Sequence, residues 1–186
     1  MRIYIASSWR NDGCIGLARW LRGLGHQVDC FCDPSTGRYV FHWSELVPDE
    51  SALREYDAVD FLRPEPVRRA YQEDRKWIDW AQAVLLYLPC GRSAHLEAGY
   101  AVGMGKRLVI YGQFEKGQFD VMYGFAHSMV RAGDLRGLED ALRDEPLHTR
   151  DQLWLRALAS TMPAETARLV VDEFNALTDG TRDSWR

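Results

Sequence analysis

The sequence has no apolar run approaching the roughly 20 residues that a bilayer-spanning helix needs. Its opening, MRIYIASSWR, enters a strand-like pattern at once and leaves no room for a secretory leader, so a cytoplasmic location is expected. Positive charge is not in excess. The 23 Lys and Arg residues face 27 Asp and Glu, a formal net charge of −4, whereas a chain that grips a nucleic-acid backbone normally shows a basic face. Cysteines are few (Cys14, Cys30, Cys32 and Cys90), and neither a Cys-x2-Cys pair nor a His pair at zinc spacing occurs. Cys30 and Cys32 alternate with Asp29 and Phe31 in a strand-like run and read as small apolar side chains, reduced and unpaired. These absences lead us to expect no metal, no cofactor, no nucleic-acid polymer and no membrane as a partner. No internal repeat is visible.

What is present suits one domain with an appendage: 186 residues, 46% hydrophobic and 27% charged. Four short apolar runs punctuate the first two-thirds: RIYIAS (2–7), QVDCFC (27–32), AVLLYL (83–88) and RLVIYG (107–112). Helical patterns separate them. Leu17, Ala18, Leu21 and Leu24 recur at helical spacing with Gly25 as a stop, and PVRRAYQEDRKWIDWAQ reads as a helix opened by Pro66. A third helix, closed by Gly103 and Gly105, follows Ser93 as N-cap. Strand alternating with helix implies an α/β fold, flavodoxin- or Rossmann-like, with a mostly parallel sheet in three layers plus C-terminal helices. The expected division is 1–145 for the α/β domain and 146–186 for a helical extension. In that extension, DQLWLRALAS (151–160) and PAETARLVVDEFNALT (163–178) carry apolar stripes without any catalytic signature.

Such sheets bind ligands beyond the carboxyl ends of their strands. That rule selects Ser7, Ser8 and Trp9, then Asp33 and Pro34, then the segment from Pro89 to Ser93 with Gly91 and Arg92, and Gly112 onward. The stretch 33–50, DPSTGRYVFHWSELVPDE, is too long and too aromatic for a plain connector. It suits a binding loop presenting Phe41 and Trp43, or a surface excursion packed by its own Tyr39, Phe41 and Trp43.

The stretch LPCGRSAHLEAGYAVGMGK (88–106) sets a single carboxylate, Glu97, among glycines and alanines. A capping box would place the acid three residues after Ser93, where Leu96 stands, so Glu97 is one position too far. The helix dipole would favour its ionised form, as a nucleophile at neutral pH requires, and small neighbours would leave room for a sugar. Arg92 and Ser93 could receive a phosphate at a helix mouth, or be a surface residue and a simple cap. His95 reads as a packed or exposed histidine, and Asp79 as a structural acid turned away from Asp74.

Taken together, YIASSWRN, EDRKWIDWAQAVLLYLP and GRSAHLEAGYAVGMGK resemble the nucleoside 2-deoxyribosyltransferase superfamily, which includes nucleoside 5′-monophosphate N-glycoside hydrolases. The resemblance covers roughly residues 2 to 130, with the Leu96-Glu97-Ala98-Gly99-Tyr100-Ala101 core its most specific part. It implies that Glu97 attacks the anomeric carbon and forms a covalent glycosyl-enzyme. It implies further that Asp74 assists the departing base or orients the sugar, and that Tyr4 positions the nucleophile. The chemistry suits that set: a C–N bond breaking through an oxocarbenium-like state wants a carboxylate beneath the sugar. Flat bases suit stacking on Trp9, Phe41 or Trp43. Asp120, Met122 and Tyr123 fall where such enzymes contribute residues to a neighbouring subunit's site, which implies a homo-oligomer, dimer or higher. The substrate would be a small nucleoside or nucleoside 5′-monophosphate, cleaved by hydrolysis or by transfer to another base. The rival expectations are a non-catalytic nucleotide sensor of the same fold and a glycohydrolase acting on a nicotinamide nucleotide.

Overall fold

The computed structural model describes residues 1–47, 49–55, 57, 59–117, 120–143, 163, 165, 166, 168 and 169. The chain divides into two compact units, Met1–Arg143 and Asp144–Arg186. The expected helix at 151–160 lies outside the described residues. Of the stretch 163–178, Pro163, Glu165, Thr166, Arg168 and Leu169 are described, and the last four are helical.

The first unit is a five-stranded, all-parallel sheet in the order β2-β1-β3-β4-β5. Its strands are β1 (Arg2–Ala6), β2 (Gln27–Cys30), β3 (Ala83–Tyr87), β4 (Arg107–Gly112) and β5 (Ser128–Arg131). The helices are α1 (Cys14–Gly23), α2 (Glu65–Trp80), α3 (Arg92–Gly103) and α4 (Leu135–Leu142). In β3, Ala83, Val84, Leu85 and Leu86 are all buried, the continuous apolar run of a strand covered on both faces. Side chains alternate between the two faces. Ile3, Ile5, Cys30, Leu85 and Val109 meet Leu17 and Leu21 of α1 and Leu138 and Leu142 of α4. Tyr4, Ala6, Val84, Leu86 and Ile110 meet Ile78 of α2 and Ala94, Ala98 and Ala101 of α3. The three-layer parallel architecture is thus the one expected.

Two elements were not legible in the apolar runs. In β5 only Val130 is buried, because this edge strand has one covered residue among four, too few for a hydrophobic pattern. Its following helix, α4, is only two turns long and is capped by Asp134, whose Oδ1 accepts from the Gly137 amide at 2.8 Å.

The α3 cap also differs from expectation. Gly91 is its N-cap and Arg92 its first residue, so Ser93 lies inside the first turn and makes no capping hydrogen bond. The small residues have a packing role too. Ala94, Ala98 and Ala101 form the buried face that lets α3 lie close on the sheet, while Gly91, Gly99 and Gly103 face open space.

β1 sits between β2 and β3, so the chain leaves it to one side through α1 and reaches the other through α2. This reversal opens a crevice at the carboxyl ends of β1 and β3, where parallel sheets bind ligands.

Candidate active site

The crevice holds the three residues picked out for chemistry. Tyr4, in the middle of β1, is buried, and its Oη donates to Glu97 Oε2 at 3.1 Å. Glu97 is the sixth residue of α3, in its second turn, beyond the reach of most of the dipole. Burial dominates instead. Desolvation, then the nearby Asp74 carboxylate, push Glu97 up to about 7, while the Tyr4 hydroxyl and the Arg38 guanidinium pull it down. The ionised form that the dipole would favour is thus opposed by burial, and near pH 7 Glu97 is poised between its two forms.

Asp74 projects from α2 and pairs with Arg38 Nη2, while Arg38 Nη1 pairs with Asp29 of β2. The Arg38 and Asp29 side chains are each 1% exposed, and that of Asp74 is 39% exposed. Desolvation raises Asp29 to about 6 even against Arg38, and it raises Asp74 as well. Tyr4 is held well above the usual phenol range, first by burial and then by Glu97 and Asp74. A hydroxyl so firmly protonated is a donor to the carboxylate and not a base. Tyr4→Phe should therefore remove the main group that draws Glu97 down. We expect the midpoint of Glu97 titration to move upward by about one pH unit, the weight of one hydrogen bond to a charge. A carbon-13 NMR titration of the variant checks this.

Arg38 and Asp29 escaped the sequence reading. Asp29 carried a signal: it is an acid within a strand whose flanking residues, Val28 and Cys30, are buried on the opposite face. Arg38 carried none, because only tertiary folding brings it from the long excursion to α2 and β2.

The other nominated residues have more local partners. Ser7 Oγ donates to the Tyr87 carbonyl at 2.8 Å and accepts from Asn11 Nδ2 at 3.1 Å. Ser8 Oγ accepts from the Arg10 amide at 3.2 Å. Both serines shape the turn after β1. Trp9 is 52% exposed, meets Phe31 edge-on at 4.7 Å and lies 5.8 Å from the His42 ring. Phe41 packs on Trp43 at 5.1 Å, and Trp43 on Phe61 at 5.6 Å, with Trp43 still 39% exposed. Arg92 and Ser93 are exposed at the start of α3. The Gly91 carbonyl lies 2.9 Å from His95 Nδ1. The His95 ring stacks on Tyr123, with centroids 6.0 Å apart. Met122 is exposed beside it, in a turn capped by Asp120, whose Oδ1 accepts from the Met122 amide at 2.8 Å. Cys90 is raised to about 11 by burial and by Glu97, which leaves the thiol protonated beside the crevice.

Asp79 accepts from Tyr100 Oη at 2.8 Å and ties α2 to α3, a structural part. Two open clefts of about 330 and 380 Å³ lie elsewhere, the second with Asp29, Trp77 and Trp80 in its wall; neither is lined by Tyr4, Asp74 or Glu97. Among the described residues no helix is long and apolar enough to cross a membrane.

No family model and no curated protein matches the chain. Among solved structures it is similar to the CMP N-glycosidase BcmB of Clostridium botulinum, with a TM-score of 0.44 and 14% identity over 76% of this chain and 98% of that one. It is also similar to a 2-deoxyribosyltransferase from Bacillus psychrosaccharolyticus, with a TM-score of 0.47 and 18% identity over 77% of this chain and 93% of that one.

Proposed function

We propose that this chain cleaves the N-glycosidic bond of a nucleoside or nucleoside 5′-monophosphate, with Glu97 as nucleophile. The observation that carries the reading is the half-buried Glu97 carboxylate, which accepts from Tyr4 Oη at 3.1 Å on the face of the sheet that α2 and α3 cover. The ordered motifs around Tyr4, Asp74 and Glu97, which resemble the nucleoside 2-deoxyribosyltransferase superfamily, support it independently.

In this reading ionised Glu97 attacks the anomeric carbon as the C–N bond breaks, and the bonding pair leaves with the base, which takes up a proton from water. Asp74 assists the departing base or orients the sugar. Water, or a second base, then attacks the same carbon, releases Glu97 and restores its carboxylate. A carboxylate poised near pH 7 suits this role, because desolvation makes it a stronger nucleophile once it is ionised. Trp9 offers the base an exposed aromatic face. Arg92, exposed at the mouth of α3, is our candidate for contact with a 5′-phosphate. We also propose a homo-oligomer that uses the exposed Leu96, Val121 and Met122 beside the crevice.

Chromatography of free base after incubation with nucleosides and their 5′-monophosphates, with and without an acceptor base, tests the reading. We expect base release by wild type. Dependence on acceptor would mark a transferase, and a preference for monophosphates that disappears in Arg92→Ala would support the phosphate contact. Tight nucleotide binding without release would contradict the enzyme and favour a sensor. Sedimentation as a monomer at working concentration would contradict the oligomer.

A further inference from the structure

Three acids (Asp29 from β2, Asp74 from α2 and Glu97 from α3) gather around Tyr4 on one face of the sheet, close enough for each carboxylate to act on the phenol. Arg38 reaches two of them. It comes from the 33–64 excursion, just after a one-turn helix at Pro34–Thr36, and Gly37, at φ 65°, makes the left-handed step that redirects the chain before it. The neighbouring residue anchors the same segment: the Tyr39 ring lies 4.0 Å beneath the Arg69 guanidinium of α2. The Arg38 side chain is 1% exposed, and its Nε, like Asp29 Oδ1, has no hydrogen-bond partner among the described residues. A buried pair left short of partners is a poor stabilising device, since the desolvation it costs commonly exceeds what it returns. It invites a functional explanation.

Resting on the glycosidase reading, we propose that Arg38 is a positioning residue: clamped between Asp29 and Asp74, it fixes Asp74 beside Glu97 and offsets the negative charge that would otherwise keep Glu97 protonated. The groups acting on Glu97 or its neighbours are Tyr4 from β1, Asp29 from β2, Arg38 from the excursion, Glu73 and Asp74 from α2, and Cys90 before α3. Of these, Tyr4 and Arg38 favour the Glu97 carboxylate, whereas Asp74 and Asp29 oppose it. Asp29 thus has two parts, as anchor for Arg38 and as a charge against Glu97. The excursion acts by delivering one cation to a site otherwise built from the sheet and helices.

The test is a carbon-13 NMR titration of the Glu97 side-chain carboxyl in the full chain, assigned by its loss in Glu97→Gln. Arg38→Met should raise the midpoint by about one pH unit or more, the size of a lost neighbouring charge. Asp29→Asn should lower it. Arg38→Lys, which keeps the charge but loses the fork, should leave the midpoint near wild type yet reduce kcat, because one ammonium cannot hold both acids. A purely structural part would move the melting temperature and leave the midpoint in place, or move it the same way in Arg38→Met and Asp29→Asn; either result overturns the proposal. If Arg38→Met does not fold, Arg38→Met/Asp29→Asn removes both buried charges, and its midpoint should still rise above wild type, by less. An unchanged or lowered midpoint there would likewise overturn it. The titration needs no substrate, so its outcome is separate from whether base is released.

Discussion

Glu97→Gln is expected to reduce base release by about a thousandfold or more, the usual loss when a nucleophile is removed, and at the same time to stabilise the fold above pH 7. The two effects have one cause. Glu97 is desolvated and sits near Asp74, so in the folded chain it releases its proton near 7 in place of 4.5. Between those values the folded state holds a proton that the unfolded state has lost, and stability falls as pH rises. Below the lower value there is no cost, and above the upper one the cost is full and constant. Glutamine removes that dependence while keeping the shape and a group to accept from Tyr4 Oη. We expect a gain of about 1–3 kcal/mol at pH 8, shrinking to nothing near pH 4. Urea unfolding at the two pH values checks this. An equal effect at both would mean that Glu97 is not perturbed in the fold.

Gly112→Ala should produce the largest loss of stability. Gly112 ends β4 beside the connection that leads to α3, and a Cβ there would lie 2.5 Å from Leu88 Cβ and 3.0 Å from the Leu88 carbonyl oxygen. Real Cβ atoms do not approach that closely, so the two strand ends would have to part. The Leu88 amide donates to the Tyr111 carbonyl at 2.8 Å, which holds them together. We expect a loss of about 3 kcal/mol, at the upper end for overpacking. Adding Leu88→Gly should recover part of it by removing one of the colliding carbons. A loss below about 0.5 kcal/mol, the range of an innocuous surface change, would show that the ends yield freely. The site should suffer with the fold, because the Tyr87 carbonyl receives Ser7 and the next residues run into Gly91.

How much of this was legible in the sequence depended on the kind of signal. β1, β3 and β4 announced themselves through apolar runs because a strand covered on both faces is apolar nearly throughout, and β2 through its buried Val28 and Cys30, whereas β5 with its single buried residue could not. Tyr4, Asp74 and Glu97 were legible through ordered motifs, and the fold brings them together. Asp29 was half legible: an acid in a buried strand is out of place, but nothing beside it in sequence names its partner. Arg38 was beyond sequence reasoning, since its partners are nine and 36 positions away. The state of Glu97 was legible only in part, because the dipole is a local quantity, visible in sequence, while the desolvation that opposes it is a property of the assembled crevice.

The most direct test of the account is a rapid-quench reaction of wild type and Glu97→Gln with a nucleoside monophosphate that wild type turns over, read by intact mass and by peptide mapping. The account predicts a wild-type adduct of one glycosyl unit on the peptide containing Glu97, formed as base appears, with neither adduct nor base from the variant. Base release by Glu97→Gln at the wild-type rate, or an adduct mapped to another residue, would contradict it.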